Sequence, residues 1–274
     1  MSPATDSIQP IAAVAAAPLA DLLLGSRRSG SILGASSVAT WLEVGDRVVV
    51  LTGWGGARLP NSVMAATRFP PEVSTVIPAP AGVIIGDGGI EHAGRHLRVS
   101  RWWHPCPELP PTQPSQIRAL AQTCAELVPA LDDAGIGEAL ARRSLNEVLR
   151  AGEALLGKGP GLTPEGDDII VGALASYRLL GRAAGLAANG FLASVERSLV
   201  PTACRRTTRL STSLIGHAVH GEVADALGRL LRAFTGRAEL IPAVRALSAL
   251  GHSSGPAMSF GAVRGAWAVS GRGT

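Results

Sequence analysis

The feature that most constrains this fold is a proline-rich passage, His104-Pro105-Cys106-Pro107 followed by Pro110-Pro111-Thr112-Gln113-Pro114, because the hydropathy pattern changes period across it. Each proline removes an amide donor and keeps the residue before it out of the helical region, so no regular element runs through the passage. Upstream, Val48-Val49-Val50-Leu51 is a β-branched run after the turn Gly45-Asp46. Residues 74–77 and 83–85 are further short runs, punctuated by Pro78, Pro80, Gly86, Gly88 and Gly89, and residues 95–102 alternate loosely. Short strands with no helical period between them predict a small antiparallel sheet or a partial barrel.

Downstream the texture is helical. Ile117, Leu120, Cys124, Leu127 and Leu131 follow the i, i+3, i+4 spacing, and Leu140, Leu145, Val148, Leu149 and Leu155 continue it. Residues 169–180 are nearly all apolar and predict a buried helix. Segments 206–219, 223–234, 242–250 and 255–269 complete the pattern. The expected architecture is α+β: a β-rich N-terminal domain over 1–104, a linker over 105–115, and an all-helical domain over 116–274. The first eight residues read as frayed.

Composition narrows the function classes. Hydrophobic content of 46% and a mean hydropathy of +0.25 belong to a globular chain able to bury a core. The net charge of +4 comes from scattered arginines, with no stripe of the kind nucleic acids require, so a small anionic ligand is the better inference. Cys106, Cys124 and Cys204 are widely spaced and odd in number, which predicts buried free thiols rather than a disulfide framework. The alanine-rich stretch 11–24 carries Asp21 and follows Asp6 without a basic run, so it reads neither as a leader nor as a membrane span. A cytoplasmic protein without membrane or nucleic-acid partners is expected.

The strongest candidate for chemistry is Gly157-Lys158-Gly159-Pro160-Gly161-Leu162-Thr163-Pro164-Glu165-Gly166-Asp167-Asp168, directly ahead of the buried run. Gly159 and Gly161 let the backbone approach a ligand with its amides turned inward. Thr163 and Pro164 make a good N-cap and first-turn pair, and a helix start with free amides suits a phosphate. Lys158 is the only lysine in the chain, every other cation being arginine. Asp167 and Asp168 offset the helix dipole, or line a cleft as substrate-ordering groups, as a base, or as holders of Mg²⁺ through water.

Three further clusters accompany it. Thr207 and Ser211 share one helical face in Arg205-Arg206-Thr207-Thr208-Arg209-Leu210-Ser211, where the hydroxyls either bond the preceding turn or serve a substrate, with Arg206 and Thr208 beside them. His217 and His220 with Glu222 have a spacing open to a metal, although a hydrogen-bonded or catalytic His217 is preferred. His252-Ser253-Ser254 precedes the last helix, with Ser253 or Ser254 as its cap. A triad of Ser253, His217 and Asp167 lacks the usual elbow motif.

With GKGPGLTPEGDD, RTTRLS and GHSSG in hand, the sequence resembles the AllH-type family, which includes a subunit of an oxamate carbamoyltransferase of allantoin breakdown. Family members commonly have serine where Glu165 stands, and an aspartate where this chain runs Pro256-Ala257-Met258. The resemblance implies carbamoyl transfer between carbamoyl phosphate and oxamate, in concert with companion subunits. Phosphate would rest on the loop amides and Lys158. Hydroxyls or arginines would polarise the carbamoyl carbonyl, and Asp167, Asp168 or His217 would handle the amide proton. No cofactor is implied. Two other readings stay open: a hydrolase using Mg²⁺ on Asp167 and Asp168, and a non-catalytic ligand-binding or assembly subunit.

Overall fold

The computed structural model describes residues 9–68, 82–92 and 94–271. The chain divides into two compact units, Met1–His104 and Pro105–Thr274. The first eight residues and the run expected at 74–77 lie outside the described residues.

The first unit contains β1 (Ile11–Ala16), a 3-10 turn (Ala17–Leu19) and α1 (Ala20–Leu24), followed by seven strands. These are β2 (Arg28–Ala35), β3 (Ala39–Val44), β4 (Arg47–Thr52), β5 (Ser62–Ala65), β6 (Val83–Gly86), β7 (Gly89–His92) and β8 (Arg95–Trp103). They close into a barrel in the order β1-β5-β4-β3-β2-β6-β7-β8. This corrects the expected antiparallel sheet or partial barrel: the barrel is complete and mixed. β1 runs parallel to β8 and antiparallel to β5, while β4 and β5 are themselves parallel. The closing strand is the alanine-rich stretch, with Ala13 and Ala15 turned into the core. Closure leaves no unpaired edge, which an open sheet of this size would have to protect. Leu42, Val49, Leu51, Val63, Ile85 and Ile90 fill the interior, and Leu19, Leu22 and Leu23 pack into the same core.

The second unit is built from α2 (Pro114–Ala125), α3 (Ile136–Arg142), α4 (Leu145–Leu155), α5 (Glu165–Ala183), α6 (Asn189–Arg206), α7 (Arg209–His220), α8 (Asp225–Phe234), α9 (Leu240–Ser248) and α10 (Ser254–Ser270). The proline-rich passage is tied into it: the Pro105 carbonyl accepts from the Val223 amide, and the Thr112 amide donates to Ala183. Of the three cysteines, all free, only Cys124 is buried. Cys106 and Cys204 are exposed, contrary to expectation. No helix among the described residues is long and apolar enough to cross a membrane.

The central contact is α5 against α10. A methyl group built on Gly172 would stand 2.2 Å from the Met258 carbonyl oxygen, and one on Gly261 would stand 2.2 Å from that of Ile169. One on Gly265 would meet the Ala173 carbonyl at 2.4 Å. Contact positions advance together along both helices, so the pair is parallel and in direct backbone contact. The Ser176 hydroxyl reinforces it by donating to the Ala262 carbonyl at 2.7 Å. Parallel packing has one consequence for function: it brings the starts of α5 and α10 to the same place.

Gly261→Ala is expected to cost about 3 kcal/mol or more, because the backbones must separate along the whole contact. Urea denaturation would show the midpoint falling, and an unchanged midpoint would refute the close-packing account.

Candidate anion-binding site

The glycine-rich loop begins where α4 ends. Gly157, Gly159 and Gly161 have φ of +73°, +109° and +98°, in the region that disfavours side chains. The Lys158 amide donates to the Leu155 carbonyl at 2.9 Å, and the Lys158 carbonyl accepts from the Gly166 amide at 2.9 Å, which folds the loop back on the start of α5. Asp167, only 1% exposed, clasps the loop from behind. Its Oδ1 accepts from the Gly157 amide at 2.9 Å, and its Oδ2 accepts a very short bond from the Thr207 hydroxyl. A methyl group on Gly157 would lie 2.5 Å from the Arg206 carbonyl oxygen, so glycine is required there on both counts.

The tip of the loop is fastened to two more helices. Thr208 caps α7 by accepting from the Ser211 amide at 3.0 Å, and its hydroxyl donates to the Leu162 carbonyl at 2.6 Å. Ser211 Oγ stands 3.5 Å from the same carbonyl. Thr163 Oγ1 lies 2.8 Å from Ser254 Oγ in the first turn of α10. The starts of α5, α7 and α10 therefore gather around one loop, each bringing the positive end of a helix dipole. Among the described residues, the amides of Gly159, Gly161 and Leu162 have no hydrogen-bond partner. Such a set of exposed N–H groups is chemically an anion receptor.

Asp168 stands behind this surface, 1% exposed, with its Oδ2 lacking a partner among the described residues. Its carboxyl is pushed up to about 8, chiefly by burial. The Ser254 and Thr163 hydroxyls oppose the shift, while the charges of Asp167 and Glu165 add to it. Burial thus favours its neutral form, which adds no charge beside the loop.

Other expected residues fall differently. The helix starts at Glu165, with Pro164 rather than Thr163 at the cap position, and Thr163 is thereby released to pair with Ser254. The Lys158 ammonium pairs with Asp132 at 3.0 Å, both side chains being largely exposed. Arg206 donates to the Glu153 carbonyl at 3.0 Å. His217 binds Glu222 at 2.6 Å and His220 binds Glu196 at 2.8 Å, so the two imidazoles serve different carboxylates. His217 is nine residues along α7 from Thr208, roughly 13 Å by helical rise, and its partner is Glu222 rather than a loop residue. Among the described residues no hydrogen bond joins Ser253, His217 and Asp167 as a triad would require. Ser253 occupies the cap position of α10 without a side-chain bond, and His252 is exposed in the turn before it. Among the described residues, no three His, Cys, Asp or Glu side chains are grouped to hold a metal. The sequence carried no sign of Asp132 or of the Leu162 carbonyl as a hub, because both act through tertiary contact.

Residues 155–266 match the model of a protein family described as oxamate carbamoyltransferase subunit AllH. This segment is similar to that family. The AllH-type match runs from the end of α4 into α10, and so takes in the loop, Asp167, Asp168, Thr207, Thr208 and Ser254. No curated protein and no solved structure matches the chain.

Two outcomes test this geometry. Asp168 ionises near pH 4 when unfolded and at about 8 when folded, so between these values the folded state holds one more proton. Stability should fall as pH rises through that window. Asp168→Asn should lack this component, measured as melting temperature against pH. Thr207→Val should cost about 1–3 kcal/mol by leaving the buried Asp167 oxygen without its donor, read from chemical denaturation. A loss no larger than that of an exposed Thr→Val would remove the clasp from the argument.

Proposed function

We propose that this chain is the small-anion-binding subunit of an oxamate carbamoyltransferase-type assembly, with the glycine-rich loop as its ligand site. The observation that carries the reading is the set of unpaired amides at Gly159, Gly161 and Leu162, where three helix starts meet within the AllH-type segment. Such a receptor suits the phosphate of carbamoyl phosphate or the carboxylate of oxamate. In the forward direction the oxamate amide nitrogen attacks the carbamoyl carbon. The carbon–oxygen bond to phosphate breaks, the amide proton leaves with the phosphate or a base, and oxalurate and inorganic phosphate result.

Within this reading the roles divide by position. The loop amides hold the anion, and Thr163 and Ser254 provide hydroxyls at its edge. Asp167 and Thr207 keep the loop in shape rather than touching substrate. Lys158 contributes to the positive field from the rim, since an exposed pair with Asp132 is easily exchanged for a ligand. His217 lies outside the site, so the amide proton falls to Asp168, to the phosphate, or to a residue of a companion subunit. Companion subunits complete the active centre, which accounts for a site that presents a receptor without a full set of acid and base groups.

Calorimetric titration of the full chain with carbamoyl phosphate and with oxamate should show binding of at least one. Gly161→Pro, which removes one amide and forces φ negative, should weaken it more than ten-fold. An assay for oxalurate formation with and without companion subunits should show activity only in their presence. Failure of both ligands to bind would overturn the reading.

A further inference from the structure

We propose that the outer face of the barrel holds a second ligand site, a trough over β1 that takes a small flat anion: a single planar ring bearing one carboxylate or phosphate. The trough lies outside residues 155–266 and is independent of the glycine-rich loop.

Its shape comes from strand register. Along β1, Ala13 and Ala15 belong to the barrel core, so Ala12 and Val14 face outward. On β5, Val63 and Ala65 belong to the same core, so Met64 between them faces outward. Val14 pairs with Met64 on one side and with Arg101 of β8 on the other, which sets three outward residues in a row across three strands. The middle strand carries small side chains, and the cavity over it measures about 210 Å³.

A bulge puts Arg101 in this row. Strict alternation would turn Arg98 and Arg101, three residues apart, to opposite faces. The register of β8 on β1 runs Arg98 with Ala12, Val99 with Ala13, then Arg101 with Val14, so Ser100 is an extra residue. That single insertion returns Arg101 to the outer face and turns Trp102 to the core, against which it packs. The Ser100 hydroxyl pins the bulge by donating to the Ala13 carbonyl at 3.1 Å. Bulges re-aim side chains in this way, often beside functional sites.

Trp54 also lines the trough, 61% exposed, with its backbone amide anchored on the Thr67 carbonyl at 2.9 Å. Among the described residues, neither Arg101 nor Trp54 has a side-chain hydrogen bond, ion pair or ring contact, so both are available to a ligand. Arg101 is the one ionisable residue of the lining, and no carboxylate there cancels its charge. A guanidinium takes a carboxylate or phosphate through two parallel N–H donors, and an indole offers its face to a flat ring. The cavity is smaller than the about 300 Å³ at which pockets for drug-sized ligands begin, so one ring with one anionic group is the size that fits.

The test is calorimetric titration of the full chain with benzoate and with phenyl phosphate. At least one should bind, with a Kd on the order of 1 mM. Benzyl alcohol, flat but neutral, and cyclohexanecarboxylate, charged but not flat, should each bind about five-fold weaker or worse. Arg101→Ala should weaken binding about ten-fold and Trp54→Ala about five-fold. Ala12→Phe, which fills the trough from an exposed position, should abolish binding and leave the melting temperature unchanged. Arg28→Ala removes an exposed arginine of β2 and should bind as wild type. An equal loss in Arg28→Ala, or undiminished binding in Ala12→Phe, overturns the site and reduces the effect to general charge attraction. Binding that disappears in Gly161→Pro belongs to the loop and likewise overturns the trough. Cyclohexanecarboxylate binding as tightly as benzoate overturns the flat-ligand assignment, and failure of both flat anions to bind overturns the proposal outright while leaving the loop site standing.

Discussion

The second unit depends on the direct backbone contact between α5 and α10. Gly172, Gly261 and Gly265 let each helix press into the other's carbonyls, and the pair runs parallel. Parallel helices are dipolar neighbours of the unfavourable kind, with like ends together. That cost is offset by close packing over most of both helices and by Ser176 bonding across the contact. What the arrangement yields is a pair of positive helix ends side by side. α7 joins them through Thr208 and the Leu162 carbonyl. An antiparallel pair would have buried just as much apolar surface and produced no such concentration of donors.

The acidic residues in the first turn of α5 take on different tasks within this field. Asp167 accepts from the Gly157 amide and the Thr207 hydroxyl, so both its oxygens are spent on holding the loop. Asp168, one residue on and equally buried, has no such set of donors and is kept neutral instead. Two adjacent carboxyls in one turn thus differ in hydrogen-bond supply. The sequence shows two aspartates side by side, but only the partners brought by α6 and α10 distinguish them.

That contrast marks what could be read from the residues. The helical segments, the buried α5 and the loop ahead of it follow from period, apolar run and glycine spacing, all of which are local signals. The hydroxyl cluster was also legible as a cluster: Thr207, Thr208, Ser211 and Ser254 all meet the loop or its clasp. The barrel's closure was not legible. Its closing strand is Ile11-Ala12-Ala13-Val14-Ala15-Ala16, whose alanines carry little strand propensity, and its partners β5 and β8 lie far along the chain. Small residues suit that position because Leu19, Leu22 and Leu23 share the interior. The partner of His217, Glu222, was not legible for a related reason. Its place on α7 was readable, but which end of α7 faces the loop is decided by the Leu162 carbonyl.

The chain's only lysine shows how far local chemistry can be overruled. Inside a glycine-rich loop at a helix start, an ammonium invites assignment to the anion. Here it reaches instead to Asp132, whose carboxyl is held below the usual range by the Ala134 amide and then by Lys158 itself. An exposed ion pair of this kind contributes little to stability, so it is a poor lock and a good resting place. The loop amides are fixed by backbone geometry and remain donors whatever the lysine does. Of the two, the amides are the more dependable basis for recognition, and Lys158 is better understood as adding reach and charge at the rim. The candidate site is thus a property of the backbone, held by Asp167 from behind, with side-chain cations playing the lesser part.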